Sequence, residues 1–465
     1  MLLAAILSAW LQYAADGEPH ARAVVSDAVC PAAVVDGRAE RMMERAPKSA
    51  DFADVVCDLA LDAKARRIRV GDRELPKPAY KPHTIVVLGD TGCRIKLEHE
   101  RTAAGRVDRW KVQACNDPKG WPLQRIAHAA AGLKPDLVIH VGDYIYRKGD
   151  CSKAPPGEQD KCRGSPFGTN WPALEAEIFA PARELLQAAP WVTPRGNHEN
   201  CSEGKGEEAR GGVGFFLLLD PRPLAGALRS FPRCAESYPP YVVPAAKDLD
   251  LWVLDSNEPE DEAKALAGYR ADGQSQVLSH LREGVAALGA RAAPGKRAWL
   301  LTHRPLYALY PGKRKAVASL GAPRELNVPL QSVFEEQGVP PQLDLILSGH
   351  LHAFQALSFQ GGKRPPQLVV GDSGTQLDSH FPPALDTFQG LAYALPGKPG
   401  EPSHTEPVEG LTELAFGFLV LDRAATGWTA TLRDPDGAPL LECTLEGGAS
   451  RGASCRRTAR QGSAR

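Results

Sequence analysis

The chain has 465 residues, 43% of them hydrophobic, with a formal net charge of −1 and a pI near 6.9. That is enough apolar material for the core of a large α/β enzyme. The near-neutral balance, with no basic stripe interleaved with aromatics, argues against a nucleic-acid scaffold role.

The chain opens with an apolar run from Leu2 to Leu11. It is too short to span a bilayer, which takes about 20 residues, and has the size of a signal-peptide h-region. No Lys or Arg precedes it, the first basic residue is Arg22, and Ala21-Arg22-Ala23 offers a late small-x-small cleavage site. Residues 1–23 are therefore expected to be a signal peptide, against the alternatives of a buried amphipathic helix or a start codon placed too far downstream. No stable membrane span is expected.

Ten cysteines fall into neighbouring couples in loop-like sequence, and no CxxC spacing occurs. Their spacing predicts five local disulfides, 30–57, 93–115, 151–162, 201–234 and 443–455, and with them an oxidising, secreted or periplasmic setting. The alternative is a thiolate ligand at Cys93 or Cys201.

Residues 24–80 read as a small β-rich region, with two or three strands in "DFADVVCDLALDAKARRIRVGDRELPKP" and a turn at Gly71-Asp72. From Thr84 the pattern changes. "HTIVVLGD", "PDLVIHVGD", "APWVTPRGNHE", "DLWVLDSNE", "RAWLLTHRP", "LDLILSGHLH" and "PQLVVGDSG" are short apolar runs ending in polar residues. Helical stretches, "PLQRIAHAAAG", "PALEAEIFAPARELLQAA" and "GQSQVLSHLREGVAAL", lie between some of them. Strand, polar end, helix, strand is an α/β signature, and ligands in such folds gather outside the carboxyl ends of the strands. A hairpin in "AFGFLVLDRAATGWTATLRDPDGAPLLECTLE" closes the fold. Residues 396–410 read as a Pro/Gly-rich surface loop, and 446–465 as a basic tail expected to be disordered.

Taken singly, the strand-end motifs are weak. His140, inside "LVIHVGD", reads as a core histidine. His83, His99, His128, His280 and His404 lie off the motifs, and His380 follows a strand end where it could line the cleft. Together the motifs are specific. GDxG at Asp90, GDxxY at Asp143 and Tyr146, GNHE at Asn197, a strand-end His303, and GHxH at His350 and His352 resemble the calcineurin-like metallophosphoesterases, within them the purple acid phosphatase branch. The resemblance covers about residues 84–380, inside an expected main domain of 81–445.

The branch rests on two coupled positions. Most calcineurin-like enzymes read Asp-x-His in the first motif, whereas this chain has Asp90-Thr91-Gly92 and gains Tyr146 three residues past Asp143. A phenolate in place of an imidazole adds negative charge, which favours a harder ion such as Fe(III). The resemblance implies a four-layer αββα sandwich of two mixed β-sheets flanked by helices, with a metal site at the carboxyl ends of the strands. It implies Asp90, Tyr146 and His352 on a ferric ion, Asn197, His303 and His350 on a divalent Fe, Zn or Mn, and Asp143 bridging both. His198 would face the substrate as general acid or transition-state stabiliser, with Arg195 and Glu199 supporting the loop. Spacing alone leaves Tyr144 open as the phenolate, since a continuing strand would put it on the same face as Tyr146.

The implied activity is hydrolysis of a phosphate ester by a metal-bound hydroxide, on the acid side of neutral. The first expectation is an acid phosphatase-type phosphomonoesterase. A phosphodiesterase acting on a nucleotide or lipid headgroup is the alternative, and an inactive binding protein is a remote one. Substrate choice would lie in the loops 147–170, 201–240 and 375–410.

Overall fold

The computed structural model of the chain describes residues 5–26, 29–102, 105–201, 211–222, 234–235, 237–258, 260–261, 263–273, 275–310, 324–378, 381–448 and 451–458. Among them, two mixed β-sheets dominate. The first has eleven strands, in the order Gly452–Arg457, Pro439–Glu446, Trp428–Arg433, Phe418–Arg423, Thr84–Leu88, Leu137–His140, Trp191–Val192, Ile6–Tyr13, Pro19–Val25, Val55–Ala60 and Met43–Glu44. The second has eight: Tyr241–Ala246, Leu249–Val253, Arg297–Leu301, Leu343–Ser348, Gln367–Val370, Phe354–Phe359, His404–Glu413 and Thr387–Leu395.

The strands carrying the motifs are the parallel ones. Thr84–Leu88, Leu137–His140 and Trp191–Val192 run parallel in the first sheet, and Leu249–Val253, Arg297–Leu301, Leu343–Ser348 and Gln367–Val370 in the second. Their alternation sorts the core. Leu251, Trp299, Leu301, Leu345 and Leu347 join Val86 and Val138 of the first sheet in one buried cluster. Trp252, Leu300 and Ile346 join a second cluster with Leu281, Val285, Val333 and Phe334, from helices Gln276–Ala290 and Val328–Gln337. Burial on both faces explains why these strands read as unbroken apolar runs.

The expected helices at 122–132 and 273–288 are Leu123–Gly132 and Gln276–Ala290. The expected single helix over 172–189 is broken into Trp171–Leu174, a π-turn at Glu175–Phe179 and Arg183–Ala188, with Pro181 removing a helical donor at the break. All five cysteine couples form the expected disulfides. The turn at Gly71-Asp72 joins Ile68–Val70 to Arg73–Leu75.

Three expectations are corrected. The run read as an h-region is the strand Ile6–Tyr13, inside the first sheet, with Trp10 and Leu11 fully buried. It pairs in parallel with Trp191–Val192 and antiparallel with Pro19–Val25, so cleavage near residue 23 would remove structural strands. Apolar length alone cannot separate an h-region from a buried strand. The tail is not wholly irregular, because Gly452–Arg457 pairs with Pro439–Glu446 and Arg457 bonds Glu413 and the Thr412 carbonyl. Residues 404–410 of the expected surface loop belong to the strand His404–Glu413.

Pro19–Val25 and Val55–Ala60 also bring buried charge to helix Gly211–Leu218. Arg22 donates to Asp58 and to the carbonyls of Leu218 and Asp220, each at 2.7 Å. Arg45 donates to the carbonyls of Phe216, Leu217 and Asp220. Two guanidinium groups thus satisfy the carbonyls that a helix end leaves without intrahelical partners. Burial would raise the Asp58 carboxyl, but Arg22 holds it far below the ordinary carboxylate range. Arg22→Ala leaves that carboxylate with His20 alone, strips two helix-end carbonyls of their donor and should cost about 3–5 kcal/mol of stability in denaturant unfolding, and a chain lacking residues 1–23 should show no cooperative unfolding transition.

Candidate metal centre

The carboxyl ends of the parallel strands converge. Asp90 follows Thr84–Leu88, Asp143 follows Leu137–His140, Asn197 follows Trp191–Val192, His303 follows Arg297–Leu301, and His350 and His352 follow Leu343–Ser348. Asp90, Asp143 and His303 are buried and each offers one ligand atom, all within 4.8 Å of one another.

Tyr146 Oη donates to Asp90 Oδ1 at 2.8 Å or Asp143 Oδ2 at 2.9 Å, and lies 3.1 Å from His352 Nε2. Asn197 Oδ1 lies 3.0 Å from His303 Nε2 and 2.7 Å from His350 Nδ1. Asp143 Oδ2 is 3.2 Å from His303 Nε2. Two triads therefore meet at Asp143. The chain past Asp143 is not strand, so Tyr144 and Tyr146 part company. Tyr144 points into the core, its hydroxyl donating to the Pro194 carbonyl at 2.9 Å and its ring stacked on His140.

The donor set suits metal ions. His303 gives its Nδ1 hydrogen to the Val141 carbonyl at 2.9 Å, His350 Nε2 faces Asp261 at 2.9 Å, and His352 Nδ1 faces Asp378 at 3.6 Å. For His303 and His350 the outward nitrogen is held and the inward one is left as a lone-pair donor, whereas His352 Nδ1 lies nearer Arg94 Nη2, at 3.3 Å, than Asp378. Burial raises the Tyr146 phenol well above its ordinary value, and Asp143 and Asp90 raise it further. Such a phenol ionises readily only beside added positive charge. Burial would also raise Asp143, but His303 and His198 hold it well below the ordinary range; burial would lower His303, but Asp143 brings it up to about 9.

His198 sits at the edge, with its side chain 18% exposed. Its Nδ1 hydrogen goes to the Ile145 carbonyl at 3.0 Å, its ring lies 4.0 Å from that of Tyr146, and its Nε2 is 4.0 Å from Asp143 Oδ2. His140 is the expected core histidine. Burial, with the His303 charge adding, pushes it down to about 3, and its Nε2 meets Thr91 Oγ1 at 2.9 Å. His380 lies outside the described residues.

Arg195 and Glu199 support loop geometry as expected. Arg195 pairs with Asp255 across the two sheets. Glu199 accepts from the backbone N–H groups of Asp143, Tyr144, Ile145 and Gly196. Sequence reasoning missed Glu177, which is fully buried and accepts from the N–H groups of Cys93, Tyr146 and Arg147. An acid inside the apolar stretch "ALEAEIF" is its one sequence signal. Asp261 and Asp378, the partners of the GHLH histidines, were also missed, because nothing in their spacing marks them.

Three of the candidate ligands sit in left-handed backbone: Asp90 has φ +54°, Asp143 +59° and His350 +73°. Such backbone costs about 1–3 kcal/mol per non-glycine residue and tends to cluster at functional sites. Gly196 is needed for room, since a Cβ there would lie 2.1 Å from the Asp143 nitrogen. Gly92 explains the coupled exchange. A Cβ there would meet Tyr146 Cδ2 at 2.8 Å and Glu177 Oε2 at 2.9 Å, so a larger first-motif residue and the Tyr146 ring compete for one space.

A family model described as calcineurin-like phosphoesterase matches residues 83–354, more than half of the chain. The chain belongs to this family. It is accordingly a metallophosphoesterase, an enzyme hydrolysing phosphoric esters, and the family implies a dinuclear metal site. Among solved structures, a purple acid phosphatase from yellow lupin (Lupinus luteus) seeds is similar over 97% of this chain and 74% of its own, at 14% identity and a TM-score of 0.51. PhoD is similar over 98% of this chain and 93% of its own, at 13% identity and a TM-score of 0.56. At these identities the likeness is one of fold. No curated protein matches the sequence.

The packing at Gly92 gives a test. Gly92→Ala should displace the Tyr146 ring and lower bound metal, read by elemental analysis, while Tyr144→Phe should keep its metal and lose stability only, by about 1–3 kcal/mol for the lost buried hydrogen bond.

Proposed function

We propose that the chain is a binuclear phosphomonoesterase of the purple acid phosphatase type, with helix, sheet, sheet and helix layers around its site. The reading is carried by one observation, the meeting of two donor triads at Asp143 Oδ2. Asp90, Tyr146 and His352 would hold a ferric ion. Asn197, His303 and His350 would hold a divalent Fe, Zn or Mn, with Asp143 shared. When bound, such ions neutralise phosphate oxygen charge and make water a nucleophile near neutral pH.

The chain's own residues do the rest. Glu199 and Glu177 hold the loops bearing Asp143 and Tyr146 in place by backbone hydrogen bonds. His198, fixed through Nδ1 on the Ile145 carbonyl, presents Nε2 at the edge of the cluster. Burial lowers its basicity, with Lys148 adding to the effect. An arriving phosphate dianion reverses that balance by favouring the charged ring, which then offers its Nε2 proton to the leaving oxygen. Five local disulfides support a secreted or periplasmic setting.

Protein purified without chelator should carry two metal ions, one of them iron, and show a visible phenolate-to-iron band. Tyr146→Phe should bleach the band, and Tyr144→Phe should leave it. A colourless protein holding only manganese or zinc would overturn the purple branch and leave a two-metal phosphoesterase. His198→Ala should keep its metals and lose on the order of 10²–10⁴ in rate on monoesters, with a smaller loss for esters of good leaving groups. A panel of mono- and diesters that favours the diesters would overturn the monoesterase reading.

A further inference from the structure

The first and second motifs are joined by a feature that metal binding does not use. Ile95 and Arg147 form a parallel bridge, and the amides of Lys148 and Gly149 donate to the Ile95 carbonyl at 3.0 and 2.8 Å. Both bridge partners turn inward. Ile95 is fully buried, and Arg147, 4% exposed, lies over the Trp121 ring beside Glu177. Arg94 and Lys96 flank Ile95 and turn to the opposite face of its strand, while Tyr146 and Lys148 flank Arg147 across the bridge, and Tyr146 reaches the centre.

The hairpin formed by Ile95–Thr102 and Gly105–Val112 extends the same face. Lys111 stands opposite Lys96, and Arg109 opposite Glu98, so all four side chains share one side. Glu98 is placed among them, bonded to Lys111 at 2.8 Å and 3.9 Å from Lys96. Arg94 sits nearest the centre. Its guanidinium lies 5.2 Å over the Tyr146 ring and 3.3 Å from His352 Nδ1, with Asp378 beyond that histidine. The Tyr146 ring under Arg94 is also the ring that lies 4.0 Å from that of His198, so the cations gather by the part of the centre that His198 borders.

We propose that Arg94, Lys96 and Lys148 form a leaving-group subsite for a second anion, so that the preferred substrates are phosphate monoesters whose alcohol portion itself carries a phosphate, sulfate or carboxylate. The inference rests on the phosphomonoesterase reading above. It gives the hairpin a role: a neutral leaving group uses the two metals alone, whereas an anionic one also meets a basic wall. Such selectivity is Coulombic, so it weakens as salt is added.

The test compares phenyl phosphate with 3-sulfophenyl phosphate, which differ by one uncleaved charge, on the metal-loaded full chain. It runs beside equilibrium binding of benzylphosphonate and its ring-sulfonated counterpart. The sulfonated ester should show a kcat/KM about tenfold higher at low ionic strength, with the advantage shrinking in salt. In Lys96→Glu/Lys148→Glu, at two half-buried positions outside the apolar core, the ratio should fall below one; in Arg94→Gln it should fall toward one. Equal kcat/KM and equal phosphonate binding in the unmodified chain, or a ratio unmoved by the variants, would overturn the subsite and leave the monoesterase reading intact. Tighter binding of the sulfonated phosphonate without turnover of either ester would support the subsite and overturn the monoesterase reading instead.

Discussion

Two buried glutamates, Glu177 and Glu199, hold the centre together without belonging to it. Between them they accept hydrogen bonds from seven backbone N–H groups, at Cys93, Asp143, Tyr144, Ile145, Tyr146, Arg147 and Gly196. Those groups belong to the loops that carry Asp90, Asp143, Tyr146 and Asn197. A loop of this kind, buried and irregular, has no ladder to satisfy its donors. A carboxylate that accepts several at once supplies the missing partners and fixes the relative position of the loops. Burial raises Glu199 to about 8, with the Asp143 charge adding, so its ionised form depends on those donors and on positive charge in the centre.

The centre itself is a concentration of negative and polar groups that repel or strain one another. Asp90 and Asp143 share the Tyr146 hydroxyl, and Asp90, Asp143 and His350 sit in left-handed backbone. Disulfides close near three of the loops: Cys93–Cys115 just after Asp90, Cys151–Cys162 after Tyr146, and Cys201–Cys234 after Asn197. They reduce the freedom of the unfolded loops and offset part of the cost of holding these side chains in that geometry. From the other side, Arg22 and Arg45 anchor the helix that follows the third motif, which makes the first strands part of the same support.

The basic face of the hairpin shows how tertiary pairing creates a property that composition hides. The whole chain has a formal charge of −1, yet the hairpin register brings Lys96, Arg109 and Lys111 to one face beside Arg94, and the Ile95–Arg147 bridge brings Lys148 next to them in the fold. In sequence they are scattered among Glu98, Glu100 and Asp108 and form no stripe.

Order and residue type along the chain were enough to determine the family, the parallel motif strands, the ligand candidates and the disulfide couples. Each depends on local signals: apolar runs with polar ends, fixed motif spacing, and cysteines close in sequence. Tyr146 over Tyr144 was beyond such signals, because it depends on the chain leaving strand geometry after Asp143, where Glu199 and Glu177 bind its amides. The fate of Ile6–Tyr13 was also tertiary, since a short apolar run suits export or a core equally until a partner strand is found. Glu177, Asp261 and Asp378 drew no notice in sequence because a supporting acid is defined by what it touches. Only folding brings Cys93 and Arg147 to Glu177, His350 to Asp261 and His352 to Asp378.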